Sequence, residues 1–365
     1  MSSTNTPDGV GVATQKPQTH ADETPLRVGV VGLGYWGPNL LRVLSEREGT
    51  EVAWICDRDR PRLSRFARRF PTARATANYE DLLADQVLDA IFIATPVFTH
   101  FDLALRSLEA GKHTFVEKPL APSPHEAEEL LGVAAERSLT LMCGHTFLYS
   151  PPVRMIGNML KAKQLGKVFF ISSSRVNLGL HQSDVSVIWD LGPHDFSILL
   201  YWLGVMPCSV RASGRDSIVP GIPDVAFVML TFPDGLIVNV ELSWLAPSKL
   251  RRTVLVGSEK MVVYSDGSPE PVRVFDSGVI YEDPETFGEY HLSYRTGDIT
   301  SPRVSTGEPL MAELGDFLGA VASGDPRPEF AQIARDVVIL LAAADQSLRE
   351  GGREITVGDF SPVVA

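Results

Sequence analysis

The residues Leu26 to Leu44, LRVGVVGLGYWGPNLLRVL, and the following run Thr50 to Asp57, TEVAWICD, decide the fold. A β-branched apolar run, Val28 to Val31, empties into Gly32-x-Gly34-x-x-Gly37, and apolar residues at helical spacing (Leu40, Leu41, Val43, Leu44) follow at once. A second apolar run, Val52 to Cys56, delivers Asp57, twenty positions after Gly37. Strand, glycine turn, helix, strand and acid in this order predict a Rossmann dinucleotide-binding unit.

Each residue type has a physical task in that unit. Gly32 permits the tight turn around Tyr35 and Trp36, Gly34 lets backbone approach a pyrophosphate, and Gly37 lets helix and strand pack closely. Amides at the helix N-terminus then face the phosphates. Asp57 accepts hydrogen bonds from the adenosine ribose and repels a 2′-phosphate, which predicts NAD as cofactor. Arg58 and Arg60 keep NADP open, because a guanidinium beside the acid stacks on adenine or pairs with phosphate. The competing picture is a glycine bend with no ligand beside a solvated basic loop, and the strand–helix–acid context weighs against it.

A chain of 365 residues is too long for one typical core and points to two domains. Its formal charge of -12 argues against nucleic acid as a partner, since such binders displace counterions with clustered Lys and Arg. No apolar run reaches membrane-spanning length. Three scattered cysteines, Cys56, Cys143 and Cys208, suit a reducing cytoplasm rather than a disulfide framework. Residues 1–24 are polar, rich in Pro and Thr and without the apolar centre of a signal peptide, so they read as a disordered leader.

Beyond Asp57, strands and helices alternate: helices near Pro61 to Phe70 and Tyr79 to Leu83, a strand Leu88 to Ala94, a helix Thr99 to Ala110, then a strand His113 to Val116. A helix from Pro124 to Glu136 and a strand, Leu139 to Cys143, complete a first domain over 25–147. This is the doubly wound α/β pattern, whose functional loops lie at the carboxyl ends of the strands. Those loops carry Thr95 and Pro96 with His100 nearby, and then Glu117, Lys118 and Pro119. A lysine at such a strand end reaches the reacting centre; the bland alternative is an exposed lysine in a proline-fixed turn.

GLGYWG, Asp57, the ATPxxxH pattern from Ala94 to His100, and the EKP triplet together resemble the Gfo/Idh/MocA oxidoreductase family. The resemblance implies that Lys118 lies between nicotinamide and substrate, and that Glu117 and the Thr95 loop border the cofactor.

After His145 the character changes. TFLYSPPV marks a crossover, a helix Val153 to Lys163 follows, and alternating runs (Val168 to Val176, Asp224 to Thr231, Leu236 to Trp244, Thr253 to Tyr264) predict an α+β second domain over 148–365, with an open, mostly antiparallel sheet. The polar segment Gly267 to Thr306 reads as long loops on short strands, and helices over Leu310 to Val321 and Phe330 to Arg349 are expected to pack back against the first domain or the sheet.

Within this half the run Val187 to Leu203 is helical, with Asp190 and His194 four apart and so on one side. Gly192 and Pro193 between them fit a helix start. An aspartate that orients an imidazole makes a general base; spacing alone allows equally a cap and a satisfied core histidine. No HExxH or paired CxxC supplies a third ligand, so no metal is expected. The family resemblance favours catalysis: it implies that His194 takes the hydroxyl proton while Asp190 orients substrate and base.

GHTFLYSPP, RVNLG, IWDLGPHDFSILLYWLG and SWLAPSKLRR are similar to the branch of the family acting on nucleotide-linked sugars, UDP-N-acetylglucosamine 3-dehydrogenases among them. That likeness puts Tyr149 near substrate. Arg175 and Asn177 end a strand beside the helix and suit sugar hydroxyls or an acyl group. Lys249, Arg251 and Arg252 form the densest basic cluster and suit a diphosphate, with Trp244 supporting a base or sugar face. The expectation is an NAD-dependent oxidoreductase of a nucleotide-linked sugar, at C3 by resemblance. An NADP-dependent keto-sugar reductase and a non-catalytic dinucleotide sensor are the alternatives. A homodimer or homotetramer joined through the second sheet is also expected.

Overall fold

The computed structural model describes residues 24–179, 185–282 and 291–360; the expected leader lies outside them. The first half runs β1 (Leu26–Val31), α1 (Gly37–Glu46), β2 (Thr50–Cys56), α2 (Arg60–Arg69), β3 (Arg74–Thr76), α3 (Glu80–Ala84), β4 (Ala90–Ile93), α4 (His100–Glu109), β5 (His113–Glu117), α5 (Pro124–Glu136) and β6 (Leu141–Gly144). Its strands form a parallel sheet ordered β3-β2-β1-β4-β5-β6, covered on both faces, which is why they read as continuous apolar runs. The strand order reverses direction between β1 and β4, and their carboxyl ends frame the crevice where such sheets bind ligands.

The second half runs α6 (Pro151–Lys161), β7 (Val168–Leu178), α7 (Val187–Leu203), β8 (Ser209–Arg215), β9 (Val225–Thr231), β10 (Ile237–Ser243), β11 (Leu245–Gly257), β12 (Met261–Ser265), β13 (Val272–Glu282), β14 (His291–Thr300), α8 (Pro309–Ser323), α9 (Glu329–Arg349) and β15 (Ile355–Thr356). Among the described residues nine strands form one open sheet, β14-β13-β12-β11-β7-β10-β9-β8-β15, antiparallel throughout except where β7 meets β10. Gly267 to Thr306 therefore departs from the expected loops: β13 and β14 are long paired strands at the sheet edge, where mixed exposure blurs the period-two signal.

One face of this sheet is closed by α7 and α9, whose Phe196, Leu199, Leu340 and Leu341 meet Val228, Val240 and Leu242 in the largest apolar cluster. Helix α8 instead returns to the first sheet. Its Leu310, Leu314, Phe317, Leu318 and Val321, one helical face at three- and four-residue spacing, pack with Phe92 and Phe115; the Phe317 ring is 5.2 and 5.7 Å from those two. Helix α9 joins both halves, contributing Val338 to the first-sheet core and Val337 to the second. This return of the chain is what holds the two sheets in fixed relation around the site.

Candidate active site

The glycine turn has the geometry its sequence demands. Gly32 is left-handed (φ +89°), and a Cβ there would stand 2.5 Å from the Ala94 carbonyl oxygen. A Cβ on Gly37 would lie 1.9 Å from the Gly32 oxygen. Around Gly34, by contrast, nothing comes within 4 Å of that position, and no side chain caps α1. An open cradle facing uncapped helix amides fits a pyrophosphate. Tyr35 is almost fully exposed there, its ring edge-on to Trp36.

Asp57 is buried and closes this turn itself. Its Oδ2 accepts from the Leu33 amide at 2.7 Å and its Oδ1 from the Asp59 amide at 2.8 Å. The guanidinium that meets it is Arg62, at 3.2 Å, rather than Arg58 or Arg60, which are exposed on the loop. One helical turn of α2 carries Arg62 back over the acid, whereas Arg58 precedes that helix. Asp57→Ala is expected to lower NAD affinity and raise relative affinity for NADP by about tenfold or more, because Arg62 is freed for a 2′-phosphate. The loss of an acceptor for a buried amide should also cost about 1–3 kcal/mol of stability. Cofactor titrations and urea denaturation read the two effects separately.

His100 is a correction. Its Nδ1 lies 2.7 Å from the Pro119 carbonyl and its Nε2 2.8 Å from the Thr95 carbonyl, at 1% exposure. It braces the Thr95–Pro96 turn against the Lys118–Pro119 turn, with both ring nitrogens turned to carbonyls rather than to the open crevice. Burial, reinforced by the nearby Lys118 charge, holds its pKa below the usual imidazole value although both carbonyls favour the cation. Glu117 is likewise turned inward, with 6% exposure, rather than onto the cofactor edge.

Lys118 crosses from β5 to the second half. Its Nζ donates to the Asp190 carbonyl at 2.7 Å and to Asp190 Oδ1 at 3.1 Å. Asp190 Oδ2 accepts from Trp244 Nε1 at 3.0 Å. Asp190 thus orients the lysine, and not the histidine that its spacing suggests. Trp244 is 1% exposed and offers no face to a base or sugar; its indole fixes Asp190 from below. The helix does not begin at Gly192 either: α7 starts at Val187, and Pro193 lies in its second turn. Gly192 is there because α7 packs tightly, a Cβ being 3.1 Å from Leu341.

His194, one turn beyond Asp190, is half-buried with its ring 5.0 Å from the Phe147 ring. Burial is the main force holding its pKa well down, followed by the charges of Lys118, Arg175 and Arg251. A depressed pKa leaves the imidazole neutral at neutral pH, its proton affinity lowered by burial and by the neighbouring cations. Phe147 is the hub that sequence reasoning missed: the Arg175 and Arg251 guanidinia stand 4.6 and 5.4 Å from its ring centre. A single aromatic residue in a crossover loop leaves no periodic signal.

The other expected substrate contacts fall unevenly. Arg175 is buried and paired with Asp195, leaving Nη1 without a partner; it props the helix that carries His194 more than it faces a sugar. Asn177 is half-buried on β7, next to Gly179. Tyr149 is a correction, since its hydroxyl donates to Asp316 on α8 at 2.8 Å and its ring is buried. The basic cluster splits by strand alternation. On β11, Arg251 shares a face with Thr253 towards Phe147 and pairs with Asp266 at 2.8 Å. Arg252 points to the opposite face, opposite Ser174 and Ser265, and Lys249 is exposed.

The profile described as an oxidoreductase family with an NAD-binding Rossmann fold matches residues 26–145, and that of the GFO/IDH/MocA C-terminal domain matches residues 153–263. The UDP-N-acetylglucosamine 3-dehydrogenase of Acidithiobacillus ferrooxidans is 30% identical over 82% of this chain and 90% of its own length. The dTDP-3,4-didehydro-2,6-dideoxy-alpha-D-glucose 3-reductase of Actinomadura kijaniata is 34% identical over 53% of this chain and 57% of its own. Among solved structures, GenD2 from gentamicin A biosynthesis in complex with NAD superposes with a TM-score of 0.78 at 25% identity, covering 94% of this chain and 99% of that one. The Acidithiobacillus ferrooxidans enzyme GnnA superposes at 0.73, also 25% identical, over 89% and 98%.

Proposed function

The chain belongs to the Gfo/Idh/MocA oxidoreductase family as an NAD-dependent enzyme, and from that premise we propose that it oxidises or reduces a ring carbon, C3, of a nucleotide-linked sugar. NAD held at the glycine turn supplies the hydride acceptor in oxidation and the donor in reduction. The observation that carries the reading is the bond from Lys118 of the dinucleotide half to Asp190, one helical turn from His194. An ammonium has three N–H donors, and two of them go to Asp190. The third is available to the sugar oxygen. In oxidation His194 accepts the hydroxyl proton while Lys118 stabilises the negative charge that develops on that oxygen. Arg251 beside Phe147, together with the exposed Lys249 earlier on β11, gives the diphosphate a basic approach.

A panel of nucleotide sugars, beginning with UDP-N-acetylglucosamine and read by the absorbance of reduced nicotinamide, tests this. Turnover of free sugars or inositols alone would remove the nucleotide from the reading. A second reading is reduction of a keto-sugar with NADPH; the 34% identity to the Actinomadura kijaniata 3-reductase favours its reductive direction. It is distinguished by the direction in which the enzyme runs and by the Asp57 pairing, which favours NAD.

The open face of the second sheet carries Phe170, Ile237, Phe227 and Met229, each at least a third exposed, on neighbouring strands. Such a patch needs a cover, and a second copy of the chain supplies one. Phe170→Asp with Phe227→Asp is expected to shift a dimer or tetramer to monomer in sedimentation. An unchanged assembly would place the interface elsewhere.

A further inference from the structure

A general base works only when its lone pair is aimed at the proton it takes. For an imidazole that aim is commonly set by a carboxylate bonded to the other ring nitrogen. Two carboxylates flank His194 along α7, and both are committed elsewhere. Asp190 bonds Lys118 and the Trp244 indole at 3.1 and 3.0 Å. Asp195 accepts from Ser173 Oγ at 2.7 Å and is paired through its other oxygen with Arg175. Among the described residues His194 Nδ1 has no hydrogen-bond partner, so no acid holds the ring through that atom. What meets the imidazole is Phe147: the ring centres are 5.0 Å apart and the planes stand at 66°, the edge-to-face arrangement that aromatic pairs prefer.

The phenyl ring is itself anchored. Arg175 of β7 and Arg251 of β11 stand directly opposite each other in the sheet register, and their guanidinium carbons lie 4.6 and 5.4 Å from the Phe147 ring centre. Like charges facing each other across strands repel, so this pair needs compensation. Asp195 and Asp266 supply it, the second at 2.8 Å, and the electron-rich ring attracts both guanidinia. Ser173 bonds both Asp195 and Thr253, at 2.7 and 2.8 Å, and so ties this arrangement to β7 and β11 together.

We propose that Phe147 is a positioning residue for His194, holding the imidazole through an aromatic contact where an aspartate would ordinarily do so. The inference rests on the reading of His194 as the group that takes the hydroxyl proton. The sheet fixes the two guanidinia, the guanidinia fix the phenyl ring, and the ring leaves the imidazole one favoured tilt. An aromatic hold also adds no negative charge beside the sugar oxygen, on which negative charge develops during oxidation. The proton transfer itself is unchanged: the sugar O–H bond breaks with its electron pair left on oxygen, and an imidazole nitrogen gains the proton. Phe147 governs how well that nitrogen is aimed.

The test compares the full chain with Phe147→Leu, Phe147→Tyr and His194→Ala. In magnetic resonance spectra of the apoprotein, isotope-labelled at histidine, the His194 ring signal is identified by its loss in His194→Ala. It should move in Phe147→Leu, where no ring current acts on it, and stay near its natural position in Phe147→Tyr. With UDP-N-acetylglucosamine and NAD, kcat should fall about 10- to 100-fold in Phe147→Leu, the scale of a misaimed reacting group, while KM and NAD affinity stay within about threefold. Phe147→Tyr keeps the flat ring at this half-buried position and should recover most of kcat. An unmoved His194 signal in Phe147→Leu, or undiminished kcat there while His194→Ala loses turnover, overturns the positioning role. A loss carried by KM instead of kcat, or an equal loss of kcat in Phe147→Tyr, overturns it as well. Full turnover by His194→Ala removes the base reading by itself. Absence of turnover with this nucleotide sugar bears on the substrate alone, because the His194 signal is read without substrate.

Discussion

Lys118→Ala and His194→Ala are each expected to lower kcat by about 10²–10⁴-fold while NAD binds as before. The range follows from what each side chain supplies. Removal of a positioned proton acceptor forfeits general-base catalysis, and removal of a cation aimed at a developing oxyanion forfeits about 3–4 kcal/mol of charge stabilisation. Neither residue forms the glycine cradle, so cofactor affinity, measured by fluorescence titration, should not follow kcat downwards. Lys118→Ala has a further consequence: among the described residues it leaves the Asp190 carboxylate with the Trp244 indole as its partner. Lys118→Arg should rescue little, because the single Nζ bonds both the Asp190 carbonyl and carboxylate in a geometry that a longer planar fork does not reproduce. Normal turnover by both alanine variants on a substrate the natural protein accepts would remove the mechanism.

The parallel half was legible because two periods and the glycine spacing agree on it. Buried parallel strands are continuous apolar runs, and α1 and α5 present apolar residues at helical spacing between them. The nine-stranded sheet was legible as a class, and its edge was not: β13 and β14 carry mixed exposure and polar residues, so composition imitates a loop. The sequence singled out Lys118, Asp190 and His194 and misjudged who holds whom. Local spacing pairs Asp190 with His194, while the bond from Lys118 spans 72 positions and depends on the docking of two halves. Trp244 and Tyr149 read as ligand surfaces because aromatic residues near basic ones suit sugars. Both prove to be buried struts whose polar atoms hold carboxylates, Asp190 and Asp316. The split of Arg251 from Arg252 follows from alternation along β11, which stays hidden while the strand is read as beginning only at Thr253.

Gly37→Ala and Gly34→Ala are expected to separate fold from cofactor binding within one turn. A methyl on Gly37 would sit 1.9 Å from the Gly32 carbonyl oxygen, a backbone atom that moves only if the turn opens or α1 withdraws from β1. Either movement disrupts this close contact of turn and helix, so stability should fall by about 3 kcal/mol or more, at the severe end of single substitutions. NAD affinity should fall with it by about a hundredfold or more, roughly 2.7 kcal/mol, since the displaced helix no longer aims its amides at the pyrophosphate. At Gly34 the same methyl meets nothing within 4 Å. Stability should therefore change by no more than about 0.5 kcal/mol, while the methyl occupies the path by which backbone and phosphate approach each other. Urea denaturation alongside NAD titration gives the four values needed. Equal loss of stability in both variants would mean that the open space at Gly34 belongs to the packing of the turn, and unimpaired NAD binding in Gly34→Ala would move the pyrophosphate away from it.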